Sequence, residues 1–204
     1  MRAVKKLPAA FGRYEQIGGA LHFVVFDDAQ GSDAEARAAM ATSVPGWRPN
    51  ASEALSCREI DRLSFFGEWY DPATKSLLRI GEYTTSEGRA LVNPKLKELR
   101  GVEVISGAGP IPEVGTGGEF AYGFSWTPYG LRAEPEEVQE LFEAITEFIL
   151  PANLDYKILD WSSRHLSQVS SYFTAGMGWW GVFLFTIHVP EIQRLTVIAG
   201  STSD

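Results

Sequence analysis

The sequence predicts a single α+β domain, residues 1–204, with a mainly antiparallel sheet and two to four helices packed on it. Two observations support this fold class. The 204 residues are 45% hydrophobic and 22% charged, which is the usual composition of one globular domain. Segments with strand and helix patterns are mixed along the chain, whereas a doubly wound parallel sheet would require them to alternate.

The N-terminal part predicts a strand followed by two helices. Residues 20–26 are apolar and rich in strand-forming side chains. Ser32 with Glu35 has the spacing of a capping box, which predicts a helix from there to about Thr42. A second, short helix is expected within residues 52–61.

Short runs of β-branched and aromatic residues predict further strands at 63–69, 76–83, 102–105, 120–126, 156–159, 179–188 and 195–199. Turn-forming residues at 70–75 join the first two of these strands into a hairpin. A short helix is expected at 94–100, and a glycine- and proline-rich loop at 107–118. The run 179–187 is almost entirely apolar, so a central strand buried on both faces is expected there, and Pro190 marks the following turn.

The clearest helix is predicted at residues 135–150. Its apolar residues recur at helical spacing and define one buried stripe: Val138, Leu141, Phe142, Ile145, Phe148 and Ile149. Pro135 suits the first helical position, and Pro151 ends the helix.

Acidic residues cover the rest of this helix. Residues 133–156 contain no Lys or Arg and contribute −7 of the net charge of −8. Glu143 and Glu147 lie too far from the helix N-terminus to gain from its dipole, and they repel their neighbours. Such a face indicates a binding site for a basic protein partner, with a plain solvated surface as the alternative. The predicted partner-binding residues on the helix are Glu134, Glu136, Glu137, Glu140 and Glu143.

Two aromatic-rich junctions, 126–130 and 176–181, are further candidates for a protein interface. Trp and Tyr in loops are typical interface anchors, and Trp126 and Tyr129 complete the predicted partner-binding set. Core packing is the alternative for both junctions.

The composition also argues against several classes of partner and location. A net charge of −8 repels a phosphate backbone, and the only short basic cluster (Lys95, Lys97 and Arg100) is interspersed with acids, so nucleic-acid binding is not expected. No apolar run is long enough to span a membrane, and no secretion signal is recognisable. One cysteine, Cys57, cannot form an internal disulfide, so a reducing, cytoplasmic location is expected.

Catalytic and metal-binding motifs are weak. The histidines His22, His165 and His188 lack ligand spacing, so neither a metal nor a cofactor is predicted. Residues 160–165 place Asp, Ser and His close in sequence, but a cap and turn explain them more simply. Residues 123–127 resemble a nucleophile elbow except that Thr127 replaces the final glycine.

The order of strands, a Gly/Pro loop, an acidic amphipathic helix and a Gly-Trp segment entering an apolar strand resembles bacterial immunity proteins of polymorphic and type VI secretion toxin systems. The residues that carry this resemblance are 135–150, 155–161 and Gly178-Trp179, about the last third of the chain. The resemblance implies a cytoplasmic, non-enzymatic protein that binds one cognate toxin and blocks its active site. An acidic surface would suit a nuclease toxin, whose active-site face is basic.

Two alternatives stay open. A hydrolase is the first, because paired carboxylates depend on the fold rather than on linear spacing; Glu68, Glu82 and Glu119 are the candidates, with Trp126 and Tyr129 as aromatic surfaces for a sugar. A homo-oligomeric structural component of a phage or secretion particle is the second.

Overall fold

The computed structural model describes residues 1–48, 55–113 and 119–201 of the chain. The strands are β1 (Arg2–Ala3), β2 (Leu21–Asp27), β3 (Arg58–Ile60), β4 (Tyr70–Asp71), β5 (Ser76–Leu77), β6 (Glu82–Thr85), β7 (Ala90–Val92), β8 (Val104–Ala108), β9 (Lys157–Asp160), β10 (Phe183–Val189) and β11 (Arg194–Gly200). The main sheet has six strands in the order β1-β2-β11-β10-β9-β3, and β7-β6-β8 and β4-β5 form two smaller sheets. Every pair is antiparallel, as expected for the α+β class.

The helices are α1 (Ala9–Gln16), α2 (Asp33–Ser43), α3 (Arg62–Phe66), α4 (Phe120–Ser125), α5 (Pro135–Ile149) and α6 (Leu166–Val169). Shorter 3-10 turns occur at Leu96–Leu99, Ser171–Phe173, Gly176–Gly178 and Pro190–Ile192. The described part of the chain thus has more helices than the two to four expected, and none of them is long and apolar enough to cross a membrane.

Helices cover both faces of the main sheet. Because side chains alternate along a strand, Phe183, Phe185 and Ile187 of β10 enter one core and Leu184 enters the other. The first core is completed by α1, α3, α4 and α5, and the second by α2 and α6. The expected central strand is therefore confirmed, although it begins at Phe183 rather than at residue 179, after a 3-10 turn.

Several local predictions are confirmed. The capping box at the start of α2 is complete, with Ser32 accepting from the Glu35 amide and Glu35 accepting from the Ser32 amide. The predicted hairpin is confirmed only in part: residues 72–75 form its turn, where Asp71 accepts from the Ala73 amide at 3.0 Å, but they join the two-residue strands β4 and β5 rather than strands at 63–69 and 76–83. Helix α5 starts with Pro135 in its first turn, as its sequence predicts.

Three predictions are wrong. Residues 62–66 and 120–125 are the helices α3 and α4 rather than strands. Helix α4 is almost wholly buried, so its sequence shows an apolar run without helical periodicity, and α3 has only five residues, of which Phe65 and Phe66 are buried, so it is too short to show a period. In the expected helix at 52–61, residues 52–54 lie outside the described part, and Arg58–Ile60 form the edge strand β3, which pairs with β9.

The neighbouring strands β3 and β9 are separated in sequence by residues 61–156. This long excursion contains α3, both small sheets, α4 and α5. It therefore carries the acidic helix and most of the residues that line the two cavities described below.

Candidate functional site

Helix α5 presents carboxylates along its exposed side. The opposite side packs Val138, Phe142 and Ile145 into the first core, which fixes the orientation of the helix. Glu140, Glu143 and Glu147 are exposed and follow one another at i+3 and i+4, so they form one line along the helix. We call these three residues the acidic ridge.

Arginines from other elements neutralise the first turn of α5. Arg13 of α1 donates to Glu137 at 2.6 Å, and Arg100 donates to Glu136 at 2.8 Å. The hydrogen bond from Arg13 lowers the pKa of Glu137. Two of the predicted partner-binding glutamates therefore have basic partners within the chain, although the helix sequence itself contains none.

The acidic ridge differs from this first turn. Glu143 accepts a hydrogen bond from the buried side-chain amide of Gln139 at 2.7 Å. The same amide donates to the Lys75 carbonyl and accepts from the Leu77 backbone N–H. Within the described residues, neither Glu140 nor Glu147 forms an ion pair, and the same holds for exposed Glu134. The unneutralised charge on α5 therefore lies along the ridge and at Glu134.

The two predicted aromatic anchors have different surroundings. Tyr129 is 74% exposed and lies edge-on to Trp179, which is 46% exposed, with ring centroids 6.4 Å apart. Trp126 is only partly exposed: its ring packs on Trp69, and the Arg79 guanidinium lies 4.4 Å from its centroid. The exposed aromatic surface is therefore the pair Tyr129 and Trp179.

An open cleft of about 890 Å³ lies beside the edge strand β3 and brings two of the three candidate carboxylates together. Its lining includes Glu68, Trp69 and Glu119, whereas Glu82 lies on β6 and is not part of it. Trp126 and Tyr129 do not line this cleft either, and the aromatic residue in its described lining, Trp69, is buried against Tyr122 and Trp126.

The environment of Glu119 raises its pKa. The Oε2 atom is buried and has no hydrogen-bond partner, and burial followed by the negative charge of Glu68 raises the pKa of Glu119 to about 7. Its backbone is left-handed, with φ of 99°. Gly67 makes this packing possible, because a Cβ there would lie 2.9 Å from Glu119 Oε2.

The sequence motifs with catalytic group types do not form sites. Asp160 is buried, accepts from the Ser162 amide at 2.9 Å and lies 3.7 Å from Arg58 in an ion pair. The His165 backbone amide donates to Ser163 at 3.3 Å, and its exposed ring has no described contact with Asp160 or Ser162. Ser125 donates to the Ala121 carbonyl inside α4, so it does not occupy a nucleophile elbow.

Metal-binding clusters are absent from the described part of the chain: no group of three or more His, Cys, Asp or Glu side chains is placed to hold an ion. His188, for example, uses its ring Nε2 in a 3.2 Å contact with the Ala29 carbonyl.

Comparisons with known proteins give no relatives. No protein-family model, no curated protein and no solved structure matches this chain.

Proposed function

We propose that this protein is a non-enzymatic inhibitor that binds a basic protein partner through α5. The observation that carries the proposal is the acidic ridge of Glu140, Glu143 and Glu147. Among the residues that the structure describes, Glu140 and Glu147 form no ion pair, whereas Arg13 and Arg100 neutralise the first turn. Such a line of like charges repels itself in the free protein, and a basic surface would relieve that repulsion.

The exposed pair Tyr129 and Trp179 supports the same function. Tyr129 lies in the loop that leads into α5, so it can contribute an aromatic anchor at the edge of a charged interface. Following the resemblance to bacterial immunity proteins, we propose a cognate toxin as the partner, with a nuclease as the toxin class that best fits an acidic inhibitor, and the cytoplasm as the site of action.

The test is charge reversal on the ridge. The double variant Glu140→Lys, Glu143→Lys should weaken binding about tenfold or more. The loss should be largest at low salt, because salt screens the interaction between exposed charges. The tagged protein would first be used to isolate its partner from the source cells. Affinity would then be measured with the purified pair, and neutralisation by co-expression with the partner.

A matched control is the double variant Glu87→Lys, Glu103→Lys. Both of these glutamates are exposed and lie outside α5, so the net charge changes equally while the ridge stays intact. Equal loss of affinity in both double variants, or no loss in the ridge variant, contradicts binding through α5.

A hydrolase is a second candidate, favoured by the pair Glu68 and Glu119 in the open cleft. A carboxyl group with a pKa near 7 can donate a proton at neutral pH while an ionised neighbour acts as base or nucleophile. This division of roles is what glycosidic bond cleavage requires.

Chromogenic aryl glycosides test this candidate. Turnover should fall about a hundredfold or more in Glu119→Gln, which keeps the shape of the side chain but cannot donate the proton as an acid. The exposed Glu82→Gln should leave turnover unchanged. A panel of such glycosides on which the parent protein shows no turnover would remove the support for this function.

A further inference from the structure

A second cavity, of about 390 Å³, lies between the loop that precedes α5 and the segment after β5. Its volume lies within the usual range for small-molecule sites. Most of the lining residues are apolar or aromatic, among them Leu78, Trp126 and Leu131, and polar groups make up nearly half of the surface that faces the cavity. This cavity lies apart from the acidic ridge, and it shares only Trp69 with the described lining of the cleft that contains Glu68 and Glu119.

Two polar atoms of residues that line this cavity have no hydrogen-bond partner in the described part of the chain. Thr127 is 6% exposed, and its hydroxyl is buried without a hydrogen-bond partner. The Nε of Arg79 is likewise buried and unpartnered. Because buried donors are normally satisfied, two such groups lining one cavity indicate that a ligand supplies the missing acceptors.

Arg79 is also held in place without being neutralised. Its guanidinium lies 4.4 Å from the ring centroid of Trp126 and 5.1 Å from that of Tyr83, so aromatic rings fix its position. No carboxylate of the described residues forms an ion pair with it. A partly buried cation without a counter-ion favours an anionic ligand.

The other residues that line the cavity also favour an anionic ligand. No acidic side chain lines it within the described residues, although the chain has a net charge of −8. Pro135 and Val138 bring the first turn of α5 to its wall, and this helix has no side-chain cap. The helix N-terminus carries partial positive charge, and the nearby Glu136 and Glu137 are paired with arginines.

We propose that this cavity binds a small organic monocarboxylate with an apolar or aromatic body. Its carboxylate would accept hydrogen bonds from Arg79 and from the Thr127 hydroxyl, and its body would pack against Trp126, Leu78 and Leu131. A guanidinium matches a carboxylate in shape and charge, and Arg79 as the one cation of the described lining fits one negative charge better than the two charges of a phosphate.

The test compares benzoate, phenylacetate and octanoate with their neutral amides. Binding is measured by calorimetry and by the fluorescence of the tryptophans, two of which line the cavity. At least one carboxylate should bind about tenfold or more tightly than its amide, because charge-assisted hydrogen bonds are the stronger kind. Thr127→Val, which removes only the hydroxyl, should weaken that carboxylate by roughly threefold to tenfold.

Arg79→Gln should abolish the preference for the carboxylate. Arg79→Lys keeps the positive charge and should retain part of the preference, so it provides the test if Arg79→Gln folds poorly. The matched control is Arg89→Gln, an exposed arginine outside this cavity that should keep the preference. Equal binding of acid and amide, loss of preference in the Arg89 variant, or no binding of any of the three carboxylates overturns the proposal.

Discussion

Glu119 is a residue whose ionisation opposes folding. Its ordinary pKa of 4.5 is raised to about 7 by burial and by Glu68. Between these values the folded protein keeps a proton that the unfolded chain has released. Stability therefore falls as the pH rises through this range, and the loss is complete above the folded pKa.

We expect Glu119→Gln to remove this loss. Above the folded pKa the variant should be more stable than the parent by on the order of 2 kcal/mol, with partial exposure taken into account, and below the ordinary pKa the two should be similar. Urea unfolding over a pH series measures the difference. The control Glu82→Gln should follow the parent, and an identical pH slope in Glu119→Gln contradicts the proposed environment.

At the scale of single elements, the start of α2 depends on one hydroxyl. The Ser32 side chain accepts from the Glu35 amide at 3.2 Å, which satisfies one of the free donors of the first turn. We expect Ser32→Ala to lower the free energy of unfolding by about 1 kcal/mol. Ser32→Asn, which keeps an acceptor at the cap, should lose much less, and chemical denaturation distinguishes the two.

The helices that could be predicted are those with a periodic apolar stripe or an N-terminal capping pattern in their own sequence. Helix α5 has a full apolar stripe and a proline at its start, and α2 has its capping box. Helix α4 has neither, because Phe120, Tyr122 and Phe124 are all buried and mimic a strand. The start of α3 did have a signal, since Asp61 accepts from the Ser64 amide at 2.7 Å in the manner of an N-cap.

The candidate sites were predictable only where one segment supplies the chemistry. The carboxylates of α5 are visible in sequence, but their partners Arg13 and Arg100 come from distant segments. The meeting of Glu68 with Glu119 depends on the packing of α3 beside α4, and the cavity around Arg79 depends on three separate segments. Tertiary packing, rather than local pattern, decides such contacts.

At the scale of the whole molecule, the main sheet separates two hydrophobic cores, and the glutamates of α5 lie on the surface outside them. Core residues from β10 and β11 face both sides, so the sheet is buried from two directions. The excursion 61–156 adds α5, which packs its apolar side into the first core and leaves Glu140 and Glu147 exposed on its other side. Charge reversal on the ridge should therefore affect binding while the cores, and so the fold, stay intact.

The strand order has a further consequence for folding during translation. β2 ends at Asp27, but its inner neighbour β11 begins only at Arg194. At ordinary rates of translation the growing chain carries β2 without that neighbour for roughly ten to thirty seconds. Throughout this interval Val25 and Phe26, both buried in the finished fold, lack the strand that later pairs with them, so the nascent chain needs protection from aggregation until β11 emerges.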